Sequence, residues 1–507
     1  KLFTLGSAGS QSPRSGAVNS GTNFYVQPKV TIADQDGNVV TTGSDSTQNV
    51  TVSASPSGLT GTTTIAAVAG IATFTDLRIT GTIGRYDLTY TISSPSTITG
   101  TDYVTLTAGT ATKVVVVTGV AGFENRTDFT TQPVTEIQDS AGNRVSNSAQ
   151  VTVSISSGTL TGTTTVTSVN GTATFSGLGK YGTVGTKTLT FSSGVLTSDT
   201  TQVFTLTHGV VDHLAMTSPS TLVNDTAFGT QPVVTIQDQD NNTVTTGSDA
   251  TQQVVLSSTN ATIGGTTSMN AVAGVADFTG KGVKLTGTVG TRYLKATISS
   301  PSIKTITNSV TLTFGAADHL VVTTQAAGAK SGQAFSTQPV VTIKDVSENT
   351  VTDSTLSVAL QASAGTLSGT TTVNAVNGVA TFSGVGLSGP AATYQLIYTH
   401  IGLGNGLQTI ALATGDAAQV SIQVASTLVN DTVFATQPVV TIQDSAGNTI
   451  STGADSTQRV TLSSSDATIG GTLFMNAVAG VADFNGKGIR LTGLVGARDL
   501  TATISSP

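Results

Sequence analysis

The sequence of 507 residues contains no cysteine and no tryptophan. The absence of cysteine excludes disulfides, thiol nucleophiles and cysteine-ligated metals. Stability must therefore come from ordinary apolar cores, which domains of about 100 residues can supply. Tyrosine and phenylalanine are also sparse, and aromatic residues make up only 5% of the chain.

Charged residues are also scarce. Only 10% of the residues are charged, and the formal net charge is −7. No basic patch or run of like charges occurs, so the sequence lacks the electrostatic pattern of a nucleic-acid-binding protein. No apolar run approaches the roughly 18 residues of a membrane span. The first residues, KLFTLGSAGSQSPRSG, do not follow the plan of a signal peptide, which predicts a mature or excised segment.

What the sequence does contain is typical of β-structure. Threonine and valine favour strands, and the 56 glycines together with asparagine and aspartate favour tight turns. The mean hydropathy of +0.17 is too high for a disordered chain. No stretch shows a convincing apolar period of 3.6 residues, so we expect an all-β chain with almost no helix.

One motif recurs five times. Residues 436–448 read TQPVVTIQDSAGN, and close variants contain Pro28, Pro133, Pro232 and Pro339 where this copy has Pro438. The successive spacings of these prolines are 105, 99, 107 and 99 residues, which is the length of a domain. A second motif, such as AVAGVADF or SVNGTATF, follows each copy and ends in phenylalanine: Phe74, Phe175, Phe278, Phe382 and Phe484.

The sequence motifs differ between odd and even repeats. The first, third and fifth contain GSDSTQ, GSDATQ or GADSTQ, and the second and fourth lack this insertion. We infer that a pair of domains was the duplicated unit. Recurring seams such as HGVVDHL and FGAADHL predict five domains, which are 1–110, 111–211, 212–316, 317–416 and 417–507.

Within each repeat, alternating runs of about six residues separated by turn signals predict a β-sandwich. In the central motif, Val234 and Ile236 alternate with Thr235 and Gln237, so one side should face the core. Asn170-Gly171 and Asn377-Gly378 carry the signal of a type I′ hairpin, in which both residues have positive φ.

These motifs resemble those of a known type of domain. TQPVVTIQDSAGN, followed by GTTTV and NAVNGVATFSG, resembles the tandem immunoglobulin-like domains, of the bacterial and invasin-like type, in large prokaryotic surface proteins. Such domains occur in adhesins, S-layer-associated proteins and extracellular filaments. The resemblance extends over essentially the whole chain and implies an extended rod of β-sandwiches, secreted to the cell surface, with a structural or adhesive role.

Two interpretations of the acidic turns remain open. Oxygen ligands at alternating positions can wrap Ca²⁺, and a further acid follows eleven residues after the first aspartate of the first and third repeats. The alternative is a hairpin in which aspartate and asparagine bind backbone groups. The candidate calcium ligands are Asp34, Asp36, Asn38, Asp45, Asp238, Asp240, Asn242 and Asp249.

No catalytic constellation stands out. His213 and His319 occupy the same position near successive seams, which suggests packing between domains, and His208 and His400 have no evident partner. No G-x-S-x-G motif is present. We therefore expect no enzyme and no cofactor other than calcium.

The predicted function is mechanical, in one of two forms. The first is a non-enzymatic cell-surface protein that assembles with copies of itself into an extracellular layer, sheath or filament. The second is the stalk of an adhesin that presents a separate binding tip. Surface glycans and a host or neighbouring cell surface are further expected partners, although few aromatic residues are available to bind glycans.

The fifth repeat stops at TISSP, before the counterpart of the last strand of the third repeat. Without that strand a sandwich has an apolar groove and an unpaired edge. Either the chain is a segment of a longer repeat protein, or a neighbouring chain supplies the strand. KLFTLG aligns with the first strand of its own repeat, which argues against it as the donor.

Overall fold

The computed structural model describes residues 4–7, 17–94 and 96–505. These residues are 50% strand and 2% helix, so the all-β prediction is confirmed. Among them, no helix has the length and apolar character needed to cross a bilayer.

The first two repeats each contain ten of the described strands. In the first they are β1 (Thr4–Ser7), β2 (Ala17–Asn19), β3 (Lys29–Ala33), β4 (Asn49–Ser55), β5 (Leu59–Thr60), β6 (Thr64–Ala66), β7 (Ile71–Thr73), β8 (Arg78–Ile79), β9 (Gly84–Ile92) and β10 (Ile98–Thr107). In the second they are β11 (Lys113–Thr118), β12 (Thr127–Asp128), β13 (Val134–Gln138), β14 (Gln150–Ile155), β15 (Thr159–Thr161), β16 (Thr165–Thr167), β17 (Thr172–Thr174), β18 (Gly179–Tyr181), β19 (Gly185–Ser192) and β20 (Asp199–Leu206).

The next two repeats follow the same order. The third contains β21 (His213–Thr217), β22 (Thr221–Val223), β23 (Val233–Gln237), β24 (Gln253–Thr259), β25 (Thr262–Gly264), β26 (Ser268–Asn270), β27 (Val275–Asp277), β28 (Lys284–Thr286), β29 (Gly290–Ile298) and β30 (Lys304–Thr313). The fourth contains β31 (Ala317–Thr324), β32 (Gln333–Ala334), β33 (Val340–Asp345), β34 (Ser357–Ala362), β35 (Thr366–Ser368), β36 (Thr372–Asn374), β37 (Val379–Thr381), β38 (Gly386–Ser388), β39 (Thr393–Thr399) and β40 (Gly406–Ala411).

The described part of the fifth repeat has eight strands. They are β41 (Gln419–Gln423), β42 (Val439–Gln443), β43 (Arg459–Ser463), β44 (Thr468–Gly470), β45 (Phe474–Asn476), β46 (Val481–Asp483), β47 (Arg490–Thr492) and β48 (Thr501–Ile504). The counterparts of β22 and β30 of the third repeat are not among them.

Two sheets face each other in every repeat. One contains three antiparallel strands, in the orders β1-β3-β7, β11-β13-β17, β21-β23-β27, β31-β33-β37 and β41-β42-β46. The central strand of each is the one that begins after the repeated proline. Val234 and Ile236 are fully buried, as predicted, while Thr235 and Gln237 on the other side are only half-exposed.

The facing sheet differs between odd and even repeats. It has five strands in the first and third, in the orders β2-β10-β9-β4-β6 and β22-β30-β29-β24-β26. It has four in the second and fourth, in the orders β16-β14-β19-β20 and β36-β34-β39-β40, because β12 and β32 pair with a small sheet instead. The inserted sequences of the odd repeats form 3₁₀ helices at Ser44–Thr47, Ser248–Thr251 and Ala454–Thr457.

Each repeat has its own hydrophobic core between the sheets. The buried apolar residues fall within 18–106, 114–206, 211–312, 320–412 and 434–491. Two residues near the predicted boundaries pack with the repeat that follows them: Val211 lies in the third core, and Phe314 packs against the fourth. The seam residues thus extend into the repeat that follows them.

The first residues of the central motif stabilise the repeat internally. In the third repeat, the Gln231 side chain donates to the carbonyl oxygens of Phe228 (2.8 Å) and Val283 (3.3 Å), and it accepts the Val283 N–H (2.8 Å). The Pro232 carbonyl accepts the N–H of Phe278, which ends the second motif, at 3.0 Å. The glutamine of the motif therefore connects the start of the central strand to two loops of its own repeat.

The two predicted Asn-Gly hairpins are confirmed. Asn170 and Asn377 both have φ of 51°, and the glycines that follow have φ of 77° and 76°. The odd repeats have alanine at the same turn position, as in Ala273 with φ of 47°. Alanine rarely adopts this conformation, because its Cβ approaches the following carbonyl oxygen.

Candidate functional site at the repeat junctions

The acidic turn that ends the central motif lies at the junction between consecutive repeats. Its aspartate first organises its own turn: Asp238 Oδ1 accepts the backbone N–H groups of Asp240 and Asn242, both at 2.9 Å. Asp139, Asp345 and Asp444 make the same pair of hydrogen bonds in their repeats. This is the backbone-binding turn that the sequence offered as one alternative.

The second carboxylate oxygen of each turn binds the seam that leads in from the preceding repeat. The backbone N–H of a seam glycine donates to this oxygen at four junctions: Gly109 to Asp139 (2.7 Å), Gly209 to Asp238 (2.8 Å), Gly315 to Asp345 (2.8 Å) and Gly415 to Asp444 (2.8 Å). A Cβ on Gly109 would lie 2.2 Å from the Ser20 carbonyl oxygen, so the seam has no room for a side chain there.

The asparagine of the turn reaches into the preceding repeat. The Asn242 side chain donates to the Gly182 carbonyl at 2.9 Å and accepts the Val184 N–H at 2.9 Å. The other three junctions repeat this two-way contact: Asn143 with Gly81 and Ile83, Asn349 with Gly287 and Val289, and Asn448 with Gly389 and Ala391. We call the turn aspartate and asparagine, the seam glycine and this end loop of the preceding repeat the clasp.

One further position of the clasp varies. Asn125 and Asn224 are buried, and each donates to the turn carboxylate of the next repeat, Asp238 at 2.9 Å and Asp345 at 2.8 Å. Serine takes this place at the other two junctions, as in Ser331, whose hydroxyl binds the Gly389 carbonyl at 3.0 Å. Serine occurs in the first and fourth repeats and asparagine in the second and third, so this position does not follow the odd–even alternation.

The junction between the second and third repeats also contains an ion pair. Arg126 donates to Asp240 through Nε (2.8 Å) and Nη2 (2.7 Å), and its guanidinium lies 4.8 Å from the ring centre of Tyr181. The arginine side chain is 38% exposed, so solvent screens the pair and it adds little to the stability of the junction.

The clasp carboxylates are strongly biased to the charged form. Burial raises the pKa of Asp238, but the hydrogen bonds from Gly209, Asn242 and Asn125 outweigh it and bring the pKa to about 2. The pKa of Asp345 falls to about 2 for the same reasons. A carboxylate that accepts several N–H groups is stabilised relative to the neutral acid, which has a proton in place of an acceptor.

The structure places the predicted calcium ligands in several different elements. Asp238, Asp240 and Asn242 belong to the clasp, where the oxygens of Asp238 face N–H donors and Asp240 binds Arg126. Asp34, Asp36 and Asn38 form the corresponding turn of the first repeat, and Asp45 and Asp249 lie in the first turn of 3₁₀ helices. Among the described residues, no three histidine, aspartate or glutamate side chains are grouped to hold a metal ion. Calcium binding stays a prediction.

The histidines near the seams contact their own repeats. His213 lies 3.0 Å from Asp212 and 3.2 Å from the Asn241 side chain. His319 likewise lies between Asp318 (2.9 Å) and Glu348 (3.1 Å). It is His208 that crosses a junction, because its Nε2 lies 2.8 Å from the Thr246 hydroxyl.

Sequence reasoning did not find the clasp as a unit. The turn was recognised, but its partners lie about 30 and 60 positions earlier in the chain. A usable signal was present: each seam has a glycine 29 or 30 positions before the turn aspartate.

No family model and no curated protein matches the chain. Among solved structures, invasin, a bacterial integrin-binding protein, is 14% identical with a TM-score of 0.27 over 85% of this chain and 82% of its own. The tetra-tandem repeat in the extending region of a large adhesion protein is 14% identical, with a TM-score of 0.25 over 81% of this chain and 98% of its own.

The fold is a tandem array of β-sandwich repeats, each built from two facing sheets. The protocadherin gamma B4 extracellular domain also matches, with 14% identity and a TM-score of 0.27 over 96% of this chain and 79% of its own.

Proposed function

We propose that this chain is a non-enzymatic rod of an extracellular cell-surface protein, whose task is to hold its domains in line at a set spacing. The observation that carries this proposal is the recurrence of the clasp at four consecutive junctions. Each clasp joins the turn of one repeat, the seam and the end loop of the repeat before it through hydrogen bonds, and the bond from the seam glycine is buried. A junction held from three sides resists bending more than a peptide linker alone.

A stalk of an adhesin is the form that the clasp favours. The clasp uses the ends of the domains and leaves their sides uncommitted, as a spacer that projects a separate binding tip requires. Small-angle X-ray scattering of the 507-residue chain tests this: an elongated monomer with one narrow distribution of dimensions is expected, and a compact or flexibly jointed particle would contradict it.

Self-assembly into a layer, sheath or filament is the second candidate. One observation favours it: every repeat exposes a valine at the same hairpin, between 70% and 76% accessible, namely Val68, Val169, Val272, Val376 and Val478. Five apolar points at one-domain intervals can meet a second copy in register.

Light scattering over a range of concentrations separates the two candidates. A chain that remains monomeric supports the stalk. Concentration-dependent association that is lost when the five valines are replaced by serine supports assembly. Surface glycans and host or neighbouring cell surfaces are further proposed partners.

A further inference from the structure

Two surface grooves lie where an odd repeat leads into an even one. The groove between the first and second repeats, called the 1–2 groove, has a volume of about 600 Å³. The groove between the third and fourth, called the 3–4 groove, has a volume of about 710 Å³. Apolar side chains contribute to both linings: Ile83, Leu106 and Val145 in the 1–2 groove, and Val223, Phe314 and Leu356 in the 3–4 groove.

The insertion of the odd repeats explains these positions. Where an even repeat leads into an odd one, the inserted segment lies against the seam. Thr246 Oγ1 is 2.8 Å from His208 Nε2. The Ala417 N–H likewise donates to a carboxylate oxygen of Asp455 at 3.2 Å. The even repeats lack the insertion, and the equivalent seam residues line the grooves instead: Ala108 in the 1–2 groove and Ala317 in the 3–4 groove.

An exposed valine hairpin adjoins each groove. In the fourth repeat, Val376 is 70% exposed, and the N–H of Gly378 in the same hairpin donates at 3.0 Å to the carbonyl of Ser354, which lines the 3–4 groove. In the second repeat, Val169 is 72% exposed, and its hairpin lies against residues 144–146 of the 1–2 groove. Each of these two junctions therefore has an apolar protrusion beside an apolar recess, and such a surface can pair with a similar one.

The two grooves carry opposite charges. Arg144 lines the 1–2 groove, and Asp353 lines the 3–4 groove. Both side chains are exposed, and each is the only ionisable one among the described residues that line its groove. The 1–2 groove is therefore electrostatically complementary to the 3–4 groove and repels a second 1–2 groove.

We propose that the 1–2 groove of one chain binds the 3–4 groove of a second copy of the same chain, with Arg144 opposite Asp353. The valine hairpin beside each groove enters the groove of the other copy. Apolar contact supplies the attraction, and charge selects unlike grooves, because like grooves would bring two arginines or two aspartates together. This inference rests on the self-assembly form of the proposed function and assigns the surface through which assembly occurs.

Disulfide formation between two single-cysteine variants tests which grooves meet, since the chain has no cysteine of its own. Ser146→Cys places a thiol in the 1–2 groove, and Thr355→Cys places one in the 3–4 groove. An equimolar mixture of the two variants should form disulfide-linked dimers at least about tenfold faster than either variant alone, because pairing raises the local concentration of unlike thiols. Equal rates in the mixture and in the separate variants would overturn the proposal.

Charge reversal tests the assigned contact. In sedimentation velocity over a range of concentrations, Arg144→Asp and Asp353→Arg should each weaken self-association at least about tenfold, because each places like charges opposite one another. The chain with both substitutions should recover the original association, since the two charges are then exchanged. The matched control is Lys281→Asp, which changes an exposed residue outside both groove linings and should leave association unchanged.

The outcomes separate this inference from the function on which it rests. A chain that remains monomeric at every concentration overturns both the groove contact and the self-assembly candidate. Association that either charge reversal leaves unchanged, or that the double substitution does not restore, overturns the groove contact and leaves self-assembly through another surface.

Discussion

The side-chain amide of Asn242 donates a hydrogen bond to the carbonyl oxygen of Gly182, 60 positions earlier in the chain, at 2.9 Å. The two residues belong to different domains. Asn242 Oδ1 also accepts a hydrogen bond from the Val184 N–H. These two hydrogen bonds attach a turn of the third repeat to the end loop of the second. Equivalent pairs at the other junctions connect neighbouring domains through one asparagine side chain and backbone groups of the preceding repeat.

Replacement of Asn242 by alanine should loosen the junction. The variant loses the two hydrogen bonds to the second repeat, which are worth about 1–3 kcal/mol together. Because the sequence has no cysteine, Ser154→Cys and Ser257→Cys introduce unique spin-label sites in the second and third repeats. The distance distribution between the labels should broaden. As a control, Asn38→Ala changes an exposed turn asparagine bonded to Asp34 in its own repeat, and it should leave the distribution unchanged.

Replacement of Asp238 by asparagine should destabilise the same junction more. The new amide group would face the N–H donors of Gly209 and Asn125, and the cost is about 2–3 kcal/mol. Amide exchange at Gly209 and Asn242 should accelerate by at least about tenfold. The control is Asp240→Asn, which removes the partly exposed ion pair with Arg126 and weakens one hydrogen bond from Asn125, while the hydrogen bonds of Asp238 remain. Equal effects of the two variants would contradict the central role of Asp238.

The junctions should open in acid. The pKa of Asp238 is about 2 in the folded chain, below the ordinary value of 3.8, so the unfolded or opened state takes up the proton first as the pH falls. Stabilisation by this carboxylate is complete above the ordinary value, decreases below it and is lost as the pH falls through about 2. The spin-label distance distribution should broaden over this range. Asp238→Asn should remove most of the change, and a pH response that survives in this variant would assign it to other groups.

Replacement of Ala273 by asparagine should stabilise the third repeat. Ala273 has φ of 47°, a conformation that asparagine tolerates better than alanine, and the gain should be about 0.5–1 kcal/mol. Amide exchange across β27 should slow accordingly. The reciprocal change in the second repeat, Asn170→Ala, should accelerate exchange across β17. Changes of the same sign in both variants would show that the turn conformation is not the cause.

Calcium is tested most directly in the first repeat, where Asp36 and Asn38 are exposed. If the predicted ligands bind Ca²⁺, the metal should slow amide exchange across residues 34–45, and a chelator should reverse the effect. Asp36→Asn should abolish the response. A melting temperature and an exchange pattern that are the same with calcium and with chelator would remove this prediction.

The sequence by itself determined the features that depend on local pattern. Alternation at Val234 and Ile236 predicted which side of the central strand is buried, and Asn170-Gly171 predicted a turn with two positive φ values. The period of about one domain predicted a tandem array, because each copy carries enough apolar residues for its own core. These signals lie within a few residues of each other or repeat regularly, so one sequence suffices to detect them.

Only the tertiary structure decided what the acidic turns do. Asp238 and Asn242 could be interpreted as metal ligands or turn residues, because both uses require oxygens at the same spacing. Their actual partners, Gly209 and Gly182, are distant in sequence and act through backbone groups, which carry no residue-specific signal. Contacts of this kind depend on how two folded domains meet, and that geometry exists only after both sandwiches have formed.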